Sequence, residues 1–316
     1  MTKLILEICQ NHKGSLTLLE EMVHSAADIG AKYLKIQDIH SSELTHRKKF
    51  DKGKIKRGKV LVIKRPYISE FERLKDLDMN AEFISNFIDI CKKYKCFPIV
   101  TPFTFNSFER LLNKKLKFIK IASYDCSSVN FLKKIRKLNI PMIVSTGATT
   151  NKEINSAKKV LGKALHSFLH CVTIYPTPLE KCNLIKITEL KRIHDVVGWS
   201  DHTHFQKTKH TAAFTASMIG ADFIERHYTI LNKANTKDGP VSINPKEAKE
   251  LMSFFKLTKK EKIEVLNKKY KDWNKCLGTG SFSLSHEEKL NRDYYRGRFA
   301  KKVNKKLIYN WNKDLA

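Results

Sequence analysis

Short apolar segments alternate with longer amphipathic ones along most of the chain. The run YLKIQ at 33–37 is typical of a buried β-strand, whereas apolar residues three or four apart over 16–29 indicate a helix that ends at Gly30. The predicted strands are 4–10, 33–37, 96–101, 118–123, 141–146, 167–175, 196–201 and 223–229. The predicted helices are 16–29, 81–94, 106–114, 129–138, 151–161, 186–194, 207–219 and a last one that starts after Pro245.

Eight strands, each followed by a helical segment, predict an α/β protein with a parallel sheet and helices outside it. Eight such units over 1–258 match a closed (β/α)8 TIM barrel, which we expect to be the catalytic domain. An open doubly wound sheet is the alternative, but no GxGxxG segment follows the first strand. Two stretches depart from the alternation. We expect 38–79 to be a long irregular connection with a functional role, and 259–316 to be a basic helical or linker arm.

The composition indicates a globular protein. With 316 residues, of which 41% are hydrophobic, the chain can bury a core and is too apolar to be disordered. No window approaches the roughly 20 apolar residues that span a bilayer, and the N-terminus lacks the pattern of a secretory signal, so we expect a cytoplasmic protein without a membrane partner. The seven cysteines include no CxxC pair, which indicates reduced, buried thiols rather than a structural zinc site.

The chain is strongly basic, with 60 Lys and Arg residues against 32 Asp and Glu and a formal net charge of +28. Such an excess is common in proteins that bind nucleic acids or anionic membranes. Here it is mostly lysine spread along the whole chain, whereas a dedicated nucleic-acid binder concentrates its charge on one element. A nucleic-acid partner is therefore not expected. A basic nucleic-acid-associated barrel and a non-catalytic sugar-binding barrel remain as alternatives to an enzyme.

Polar residues collect where the predicted strands end, which is where TIM barrels carry their catalytic groups. These strand-end residues are Glu7, Lys35, Gln37, Thr101, Lys120, Ser123, Asp125, Ser145, Tyr175, Asn183, Ser200, His202, Glu225 and His227. Lys35 and Lys120 lie within apolar strands, where an unpaired ammonium is costly, so an anionic ligand at the barrel mouth would balance them. Hydroxyl groups at the neighbouring strand ends would complete a phosphate and carboxylate site.

The same strand ends suggest a metal site. His202 and His227 end adjacent predicted strands, and two imidazoles with open positions suit a divalent transition ion that acts as a Lewis acid. Glu7 and Glu225 are then candidates for proton transfer or for holding a sugar hydroxyl. Each residue also has a structural alternative, since a barrel lysine can pair with a glutamate and a strand histidine can be a hydrogen-bonded core residue. The joint pattern favours the functional interpretation.

Eight segments, taken in order, resemble the motifs of the sialic acid synthase family, which includes N-acetylneuraminate synthases and the related legionaminic, pseudaminic and 9-phosphate-forming enzymes. The segments are EICQNHKGS (7–15), AKYLKIQ (31–37), TPF (101–103), KIAS (120–123), STGATT (145–150), HCVTIYPTP (170–178) with NL at 183–184, VGWSDHT (197–203) and IERHYT (224–229). The resemblance runs from about residue 3 to 300. It implies a (β/α)8 barrel that condenses phosphoenolpyruvate with an N-acylated amino sugar, such as N-acetylmannosamine, to a nine-carbon 2-keto sugar acid and phosphate.

The resemblance also implies roles for individual residues. It implies that a divalent metal, manganese before magnesium or cobalt, is bound by His202 and His227. It implies phosphoenolpyruvate contacts at Lys35, Thr101, Lys120, Ser123, Ser145, Asn183 and Ser200. Glu7, Asp125 and Glu225 are the implied catalytic carboxylates, and Gln37, Tyr175 and Asp238 are expected to complete the substrate site.

Three departures from the family pattern affect the sugar site. The segment 237–242 keeps Asp238 but has Gly239 where the family has histidine, and the basic insertion 47–65 is unusual. Family members continue into a small antifreeze-like domain that reaches across a dimer, whereas this sequence ends at Ala316. We therefore expect a homodimer, with a separate antifreeze-like protein as a candidate further partner.

Overall fold

The computed structural model describes residues 1–78, 81–304 and 306–311. The described strands are β1 Lys3–Glu7, β2 Tyr33–Asp38, β3 Lys54–Lys56, β4 Lys59–Val62, β5 Phe97–Pro102, β6 Phe118–Ile121, β7 Met142–Ser145, β8 Leu165–Cys171, β9 Val197–Asp201, β10 Phe223–Tyr228, β11 Ser242–Ile243, β12 Ala300–Val303 and β13 Lys306–Tyr309. The described α-helices are α1 Leu16–Asp28, α2 Lys49–Lys52, α3 Tyr67–Lys75, α4 Ala81–Lys93, α5 Asn106–Leu111, α6 Val129–Ile135, α7 Asn151–Leu161, α8 Lys186–Lys191, α9 Phe205–Thr208, α10 Thr211–Met218, α11 Pro245–Phe255, α12 Lys259–Lys269 and α13 His286–Tyr295. Residues 79, 305 and 312–316, which belong to the two stretches predicted to depart from the alternation, lie outside the described residues.

Eight parallel strands close into a barrel. The order runs from β1 through β2, β5, β6, β7, β8 and β9 to β10, and β10 pairs back with β1. The short β11 extends beside β10. The predicted (β/α)8 barrel is thereby confirmed, and the open-sheet alternative is wrong because the β1–β10 pairing closes the sheet. None of the described helices combines the length and the apolar character that crossing a bilayer requires.

The interior of the barrel has an apolar lower level and a polar upper level. Six buried side chains from six strands pack together below, and they are Ile5, Ile99, Phe118, Ile143, Leu169 and Phe223. Because side chains alternate along a strand, the residue two positions further on points into the same interior. Those positions hold Glu7, Thr101, Lys120, Ser145, Cys171 and Glu225. The sequence therefore changes from apolar to polar at one level of the barrel, so that a polar layer lies on an apolar floor.

A second apolar layer lies between the barrel and its outer helices. In α1, Leu19, Met22, Val23 and Ala26 are buried, while Ser15 accepts a hydrogen bond from the Leu18 amide and caps the helix. The last predicted helix begins at Pro245, as expected from the preference of proline for the first turn. Local capping and the periodic apolar face together hold each helix against its strand.

Two predicted elements differ from the structure. The predicted helix 207–219 is divided into α9 and α10, because Lys209 adopts a left-handed conformation at φ 49° between them. The stretch 38–79, predicted to be irregular, contains α2, the antiparallel hairpin β3–β4 and α3. Its hairpin turns at Arg57 and Gly58, which both have positive φ, between the short strands KIK and KVLV.

The described part of the C-terminal arm folds back over the barrel mouth. Arg47 donates to the backbone carbonyls of Asp293, Tyr294 and Arg296, and the Thr45 hydroxyl donates to the carbonyl of Gly297. Further polar contacts come from Arg292 and Arg296, which both pair with Glu153 at the start of α7. These contacts place α13 and the hairpin β12–β13 above the polar layer.

Candidate active site

A cavity of about 880 Å³ opens at the carboxyl ends of the barrel strands. The predicted site residues that line it are Glu7, Lys35, Gln37, Thr101, Lys120, Ser123, Asp125, Ser145, Tyr175, Ser200, His202, Glu225, His227 and Asp238. Asn183 is not among its lining residues. The Asn183 side chain instead accepts a hydrogen bond from the Gly280 amide at 2.7 Å and donates to the Ser281 carbonyl at 3.0 Å. The structure therefore brings all but one of the predicted site residues to one cavity.

Lys35 lies at the centre of the polar layer. Its ammonium contacts Oε2 of Glu7, donates to Oγ1 of Thr101 at 3.3 Å and lies 3.6 Å from Oε2 of Glu225. Burial by itself lowers the pKa of Lys35, but the carboxylates of Glu225 and Glu7 together outweigh burial and raise the pKa above its ordinary value. Lys35 is thus held as a cation between two buried acids.

The charge of Lys120 is less well balanced by nearby carboxylates than the charge of Lys35. Its ammonium donates to Oγ of Ser145 at 2.6 Å and lies 3.8 Å from Oε2 of Glu225. Burial lowers the pKa of Lys120, and the nearby charge of Lys35 lowers it further, while Glu225 opposes both. Lys120 therefore shares its nearby carboxylate, Glu225, with Lys35, and an anion bound beside Lys120 would stabilise its charged form.

Glu225 is oriented by Ser200, whose hydroxyl donates to Oε1 at 2.8 Å. Burial by itself raises the pKa of Glu225, but Lys120, Lys35 and the Ser200 hydrogen bond outweigh burial and keep the pKa below its ordinary value. Gly147 closes the neighbouring side of this layer, where its amide donates to Oγ of Ser123 at 3.1 Å. A Cβ at Gly147 would lie 2.9 Å from that hydroxyl oxygen, so glycine allows the backbone to approach it.

We expect Glu225→Ala to lower the free energy of unfolding by roughly 3–5 kcal/mol in the absence of substrates, since removing one member of a buried ion pair leaves the other uncompensated. Lys120 would then have no carboxylate within 4 Å among the described residues. Chemical denaturation at neutral pH would measure the change. Glu264→Ala, at an exposed position, is the control and should change stability by less than about 0.5 kcal/mol. A loss below about 1 kcal/mol in Glu225→Ala would contradict the pairing.

Two imidazoles face each other above the polar layer. The ring centroids of His202 and His227 are 5.4 Å apart, and the ring of Tyr175 meets His202 edge-on at 4.5 Å. Burial lowers the pKa of His202 well below its ordinary value, with the charges of its neighbours adding to the effect. Neutral imidazole is the form that binds metal ions. Nδ1 of His227 lies 3.8 Å from Oδ2 of Asp238, and neither atom has a hydrogen-bond partner among the described residues.

Asp125 joins the barrel to the C-terminal hairpin. Its Oδ1 accepts hydrogen bonds from Ser128 at 2.9 Å and from Asn310 at 3.0 Å, and the Asn310 amide also donates to the carbonyl of Phe103 at 2.8 Å. Burial raises the pKa of Asp125 from 3.8 to about 6, although the hydrogen bonds from Asn310 and Ser128 and the charge of Arg296 oppose the rise. The carboxyl group can therefore exchange a proton near neutral pH.

The raised pKa of Asp125 predicts a pH-dependent stability. The contribution of the Asp125 carboxyl group to folding stability is fully present below its unfolded-state pKa near 4. It is lost as the pH rises through the folded-state pKa of about 6. Asp125→Asn should remove that loss, so we expect the variant to gain roughly 2–3 kcal/mol relative to the wild type between pH 4 and pH 7.5. Unfolding free energies at both pH values would measure the difference. The exposed Asp195→Asn should follow the wild type, and a difference for Asp125→Asn that does not grow with pH would contradict the assignment.

A charged rim above the site was not anticipated from the sequence. Glu70 on α3 pairs with Arg73 at 2.9 Å, with Arg298 from the C-terminal arm and with Lys237 at 3.7 Å. All four residues line the cavity. The spacing of Glu70 and Arg73, an i,i+3 pair within ISEFERLK, is the signal for this helix within the basic stretch. The contribution of Arg298 could not be read from the sequence because it depends on how the arm folds back.

The sequence profile of the NeuB family matches residues 22–264, which is well over half of the chain. The chain belongs to the NeuB family. It is 30% identical over 305 residues to the N,N'-diacetyllegionaminic acid synthase of Campylobacter jejuni, covering 92% of this chain and 86% of that protein. It is 29% identical over 304 residues to the spore coat polysaccharide biosynthesis protein SpsE of Bacillus subtilis, covering 94% of this chain and 78% of that protein.

The crystal structure of the Bacillus subtilis protein has the same architecture. It superposes with a TM-score of 0.71 at 26% sequence identity and covers 93% of this chain and 77% of that chain. The expected membership in the sialic acid synthase group is confirmed, since the relatives of this NeuB-family chain include synthases of legionaminic acid, pseudaminic acid and N-acetylneuraminate 9-phosphate. The family assignment supports a sugar-acid synthase in the broad sense.

Proposed function

We propose that this NeuB-family protein condenses phosphoenolpyruvate with the open-chain aldehyde of an N-acylated amino sugar, releasing phosphate and a nine-carbon 2-keto sugar acid. The observation that carries the proposal is the convergence of Lys35 and Lys120 on the single carboxylate of Glu225, in a cavity that also holds the imidazoles of His202 and His227. The ammonium of Lys120, whose carboxylate partner Glu225 also serves Lys35, is available to an anion beside a site suited to a metal ion.

The anion in this proposal is phosphoenolpyruvate. Its phosphate and carboxylate would lie against the two lysines and the hydroxyls of Thr101, Ser123, Ser145 and Ser200. This binding holds a multiply charged substrate in one orientation and needs no covalent link to the protein. Asn183 does not line the cavity, and its side chain would have to leave Gly280 and Ser281 to join this set.

The donor atoms beside the cavity fit a divalent metal. Nδ1 of His227 and Oδ2 of Asp238 have no hydrogen-bond partner among the described residues, so a bound ion would satisfy both atoms. The ring of His202 lies 5.4 Å from the ring of His227. His202 and His227 would hold the ion, and manganese is the metal that the family resemblance implies. When bound, a divalent ion polarises the sugar aldehyde as a Lewis acid.

The chemistry then follows from the arrangement of the acids. The methylene carbon of phosphoenolpyruvate attacks the aldehyde carbon, forming the new C–C bond and leaving positive charge at the carbon that bears the phosphate. Glu225 is the buried carboxylate placed to stabilise that charge, and Asp125 is the acid able to exchange a proton. Water adds at the same carbon, and breaking its bond to the phosphate oxygen releases phosphate and leaves the keto group. Gln37, Tyr175 and Asp238 are the proposed sugar contacts, with Glu7 orienting Gln37 at 3.1 Å.

The test is a panel of N-acylated hexosamines, free and 6-phosphorylated, incubated with the full chain, phosphoenolpyruvate and, in parallel, Mn²⁺, Co²⁺ or Zn²⁺. Mass spectrometry should find one sugar acid whose mass equals sugar plus phosphoenolpyruvate plus water minus phosphoric acid, together with stoichiometric phosphate. No product from any sugar, with phosphoenolpyruvate recovered intact, would overturn the proposal. The homodimer and the division into domains 1–258 and 259–316 stay predictions.

A further inference from the structure

We propose that the thiolate of Cys9 and the carboxylate of Asp238 bind the metal ion together with His227, so that the site prefers zinc, cobalt or ferrous iron over manganese. This inference rests on the proposed function only in taking the ion to be the one that serves the reaction. It adds a sulfur ligand that the sequence pattern did not indicate, since cysteine was expected only as a buried thiol.

The three donors come from neighbouring parts of the fold. Glu7, two residues before Cys9, is the direct strand partner of His227 in the β1–β10 pairing. Asp238 lies in the loop between β10 and β11. The Cys9 sulfur, a His227 ring nitrogen and an Asp238 carboxylate oxygen all lie within 4.8 Å of one another. Donor atoms on one zinc ion lie roughly 3–4 Å apart, so a small contraction would bring all three into contact with it.

Two of the three donor residues are buried, and the Asp238 side chain is 22% exposed. Cys9 is 4% exposed and His227 is 8% exposed. Nδ1 of His227 and Oδ2 of Asp238 have no hydrogen-bond partner among residues 1–78, 81–304 and 306–311. Buried polar atoms nearly always have a partner, and an imidazole nitrogen beside an unpaired carboxylate oxygen is a donor set that an ion would satisfy.

The backbone also directs Cys9 to this position. Cys9 has a φ of 49°, a left-handed conformation that is unfavourable for a residue with a side chain, and its amide donates to Oε1 of Glu7 at 2.8 Å. The strand therefore ends at Glu7 and turns, which leaves the cysteine at the cavity wall beside His227 rather than in the helix layer. Local strain of this kind is retained where the surrounding structure has a use for the side chain.

A sulfur ligand has consequences for the choice of metal. Thiolate is a soft ligand that favours zinc, cobalt and iron, whereas manganese prefers oxygen and is among the weakest-binding divalent ions of the first transition series. A site of two imidazoles and one carboxylate would discriminate less among these ions. The predicted selectivity therefore depends on the one residue Cys9.

The test uses the full chain loaded with one equivalent of Co²⁺ and no substrate. We expect a thiolate-to-cobalt charge-transfer band in the near ultraviolet, which disappears in Cys9→Ser. Cys96→Ser is the matched control, because Cys96 is a buried thiol that bonds to the Ala31 carbonyl away from the cavity lining. Cys171→Ser tests whether the band comes from the second thiol of the site, whose sulfur lies 3.7 Å from Nδ1 of His202. A band that is absent from the wild type, or that is lost in Cys171→Ser and kept in Cys9→Ser, would overturn the proposal.

Affinity and direct structural readouts complete the test. Competition titrations should show that Cys9→Ser weakens Zn²⁺ binding by about tenfold or more while it changes Mn²⁺ binding far less. If Cys9→Ser does not fold, X-ray absorption of the zinc-loaded wild type decides, since a zinc–sulfur distance of about 2.3 Å is expected and an oxygen and nitrogen shell alone would contradict it. The two proposals can fail separately. A cobalt band without any product from the sugar panel would overturn the function, and product formation without a sulfur ligand would overturn the role of Cys9.

Discussion

His227→Ala is expected to lower kcat/KM by about a thousandfold or more, because loss of Lewis-acid polarisation removes several kcal/mol of transition-state stabilisation. The imidazole lies at the cavity wall, with its Nδ1 directed toward Asp238 at 3.8 Å and its ring facing His202. Alanine at this position leaves the strand pairing with β1 intact, so the barrel should remain folded. Phosphate release and the content of bound metal measure the two parts of the prediction.

His210→Ala is the matched control for the loss of an imidazole. His210 is equally buried, but it packs between Phe205 and Phe214 and is not among the lining residues of the cavity. The control should retain metal and activity, and any effect should be on stability. Full activity in His227→Ala, with one equivalent of metal still bound, would show that the ion is held elsewhere. His202→Ala should reproduce the loss, since both imidazoles belong to the same proposed site.

Lys120→Met should raise the KM for phosphoenolpyruvate by roughly a hundredfold, because a charge-assisted contact in a water-poor site contributes about 2–3 kcal/mol or more. Methionine keeps most of the volume and removes the charge together with the hydrogen bond to Ser145, so the apolar floor below Lys120 is preserved. The variant should lose less stability than Glu225→Ala in the absence of substrates, because Glu225 keeps Lys35 as a partner and burial opposes the charged form of Lys120. Initial rates at varied phosphoenolpyruvate, and unfolding curves without it, measure both effects.

Lys186→Met separates this effect from the removal of any buried lysine. Lys186 is 4% exposed, lies over the ring of Phe282 at 4.7 Å and is absent from the cavity lining. The KM of the Lys186→Met variant for phosphoenolpyruvate should match the wild type within about twofold. Loss of a contact of about 1.4 kcal/mol would instead change the KM tenfold. An unchanged KM in Lys120→Met would show that the anion does not contact this ammonium.

The strand order and the level of the polar layer could be read from the sequence, because both depend on short-range patterns. Ile5 and Glu7 are two positions apart on one strand, as are Phe118 and Lys120. The change from the apolar floor to the polar layer can therefore be recognised within a single strand. The hairpin at 54–62 was missed because its strands of 3 and 4 residues are too short to show a periodic pattern. The position of Asn183 was also not anticipated, since the loop after β8 is fixed by bonds to the distant Gly280 and Ser281.

The sequence alone determined that this protein is an eight-stranded barrel with lysines, hydroxyls and imidazoles at its strand ends, and it placed the chain in a family of sugar-acid synthases. Only the tertiary structure decided which of these groups are partners. Glu225 lies between Lys35 and Lys120, Cys9 lies beside His227 and Asp238, and Arg298 reaches Glu70. The physical reason is that the direction of a side chain repeats every two residues along a strand, whereas contact between strand ends depends on closure of the barrel and on the path of the chain beyond it.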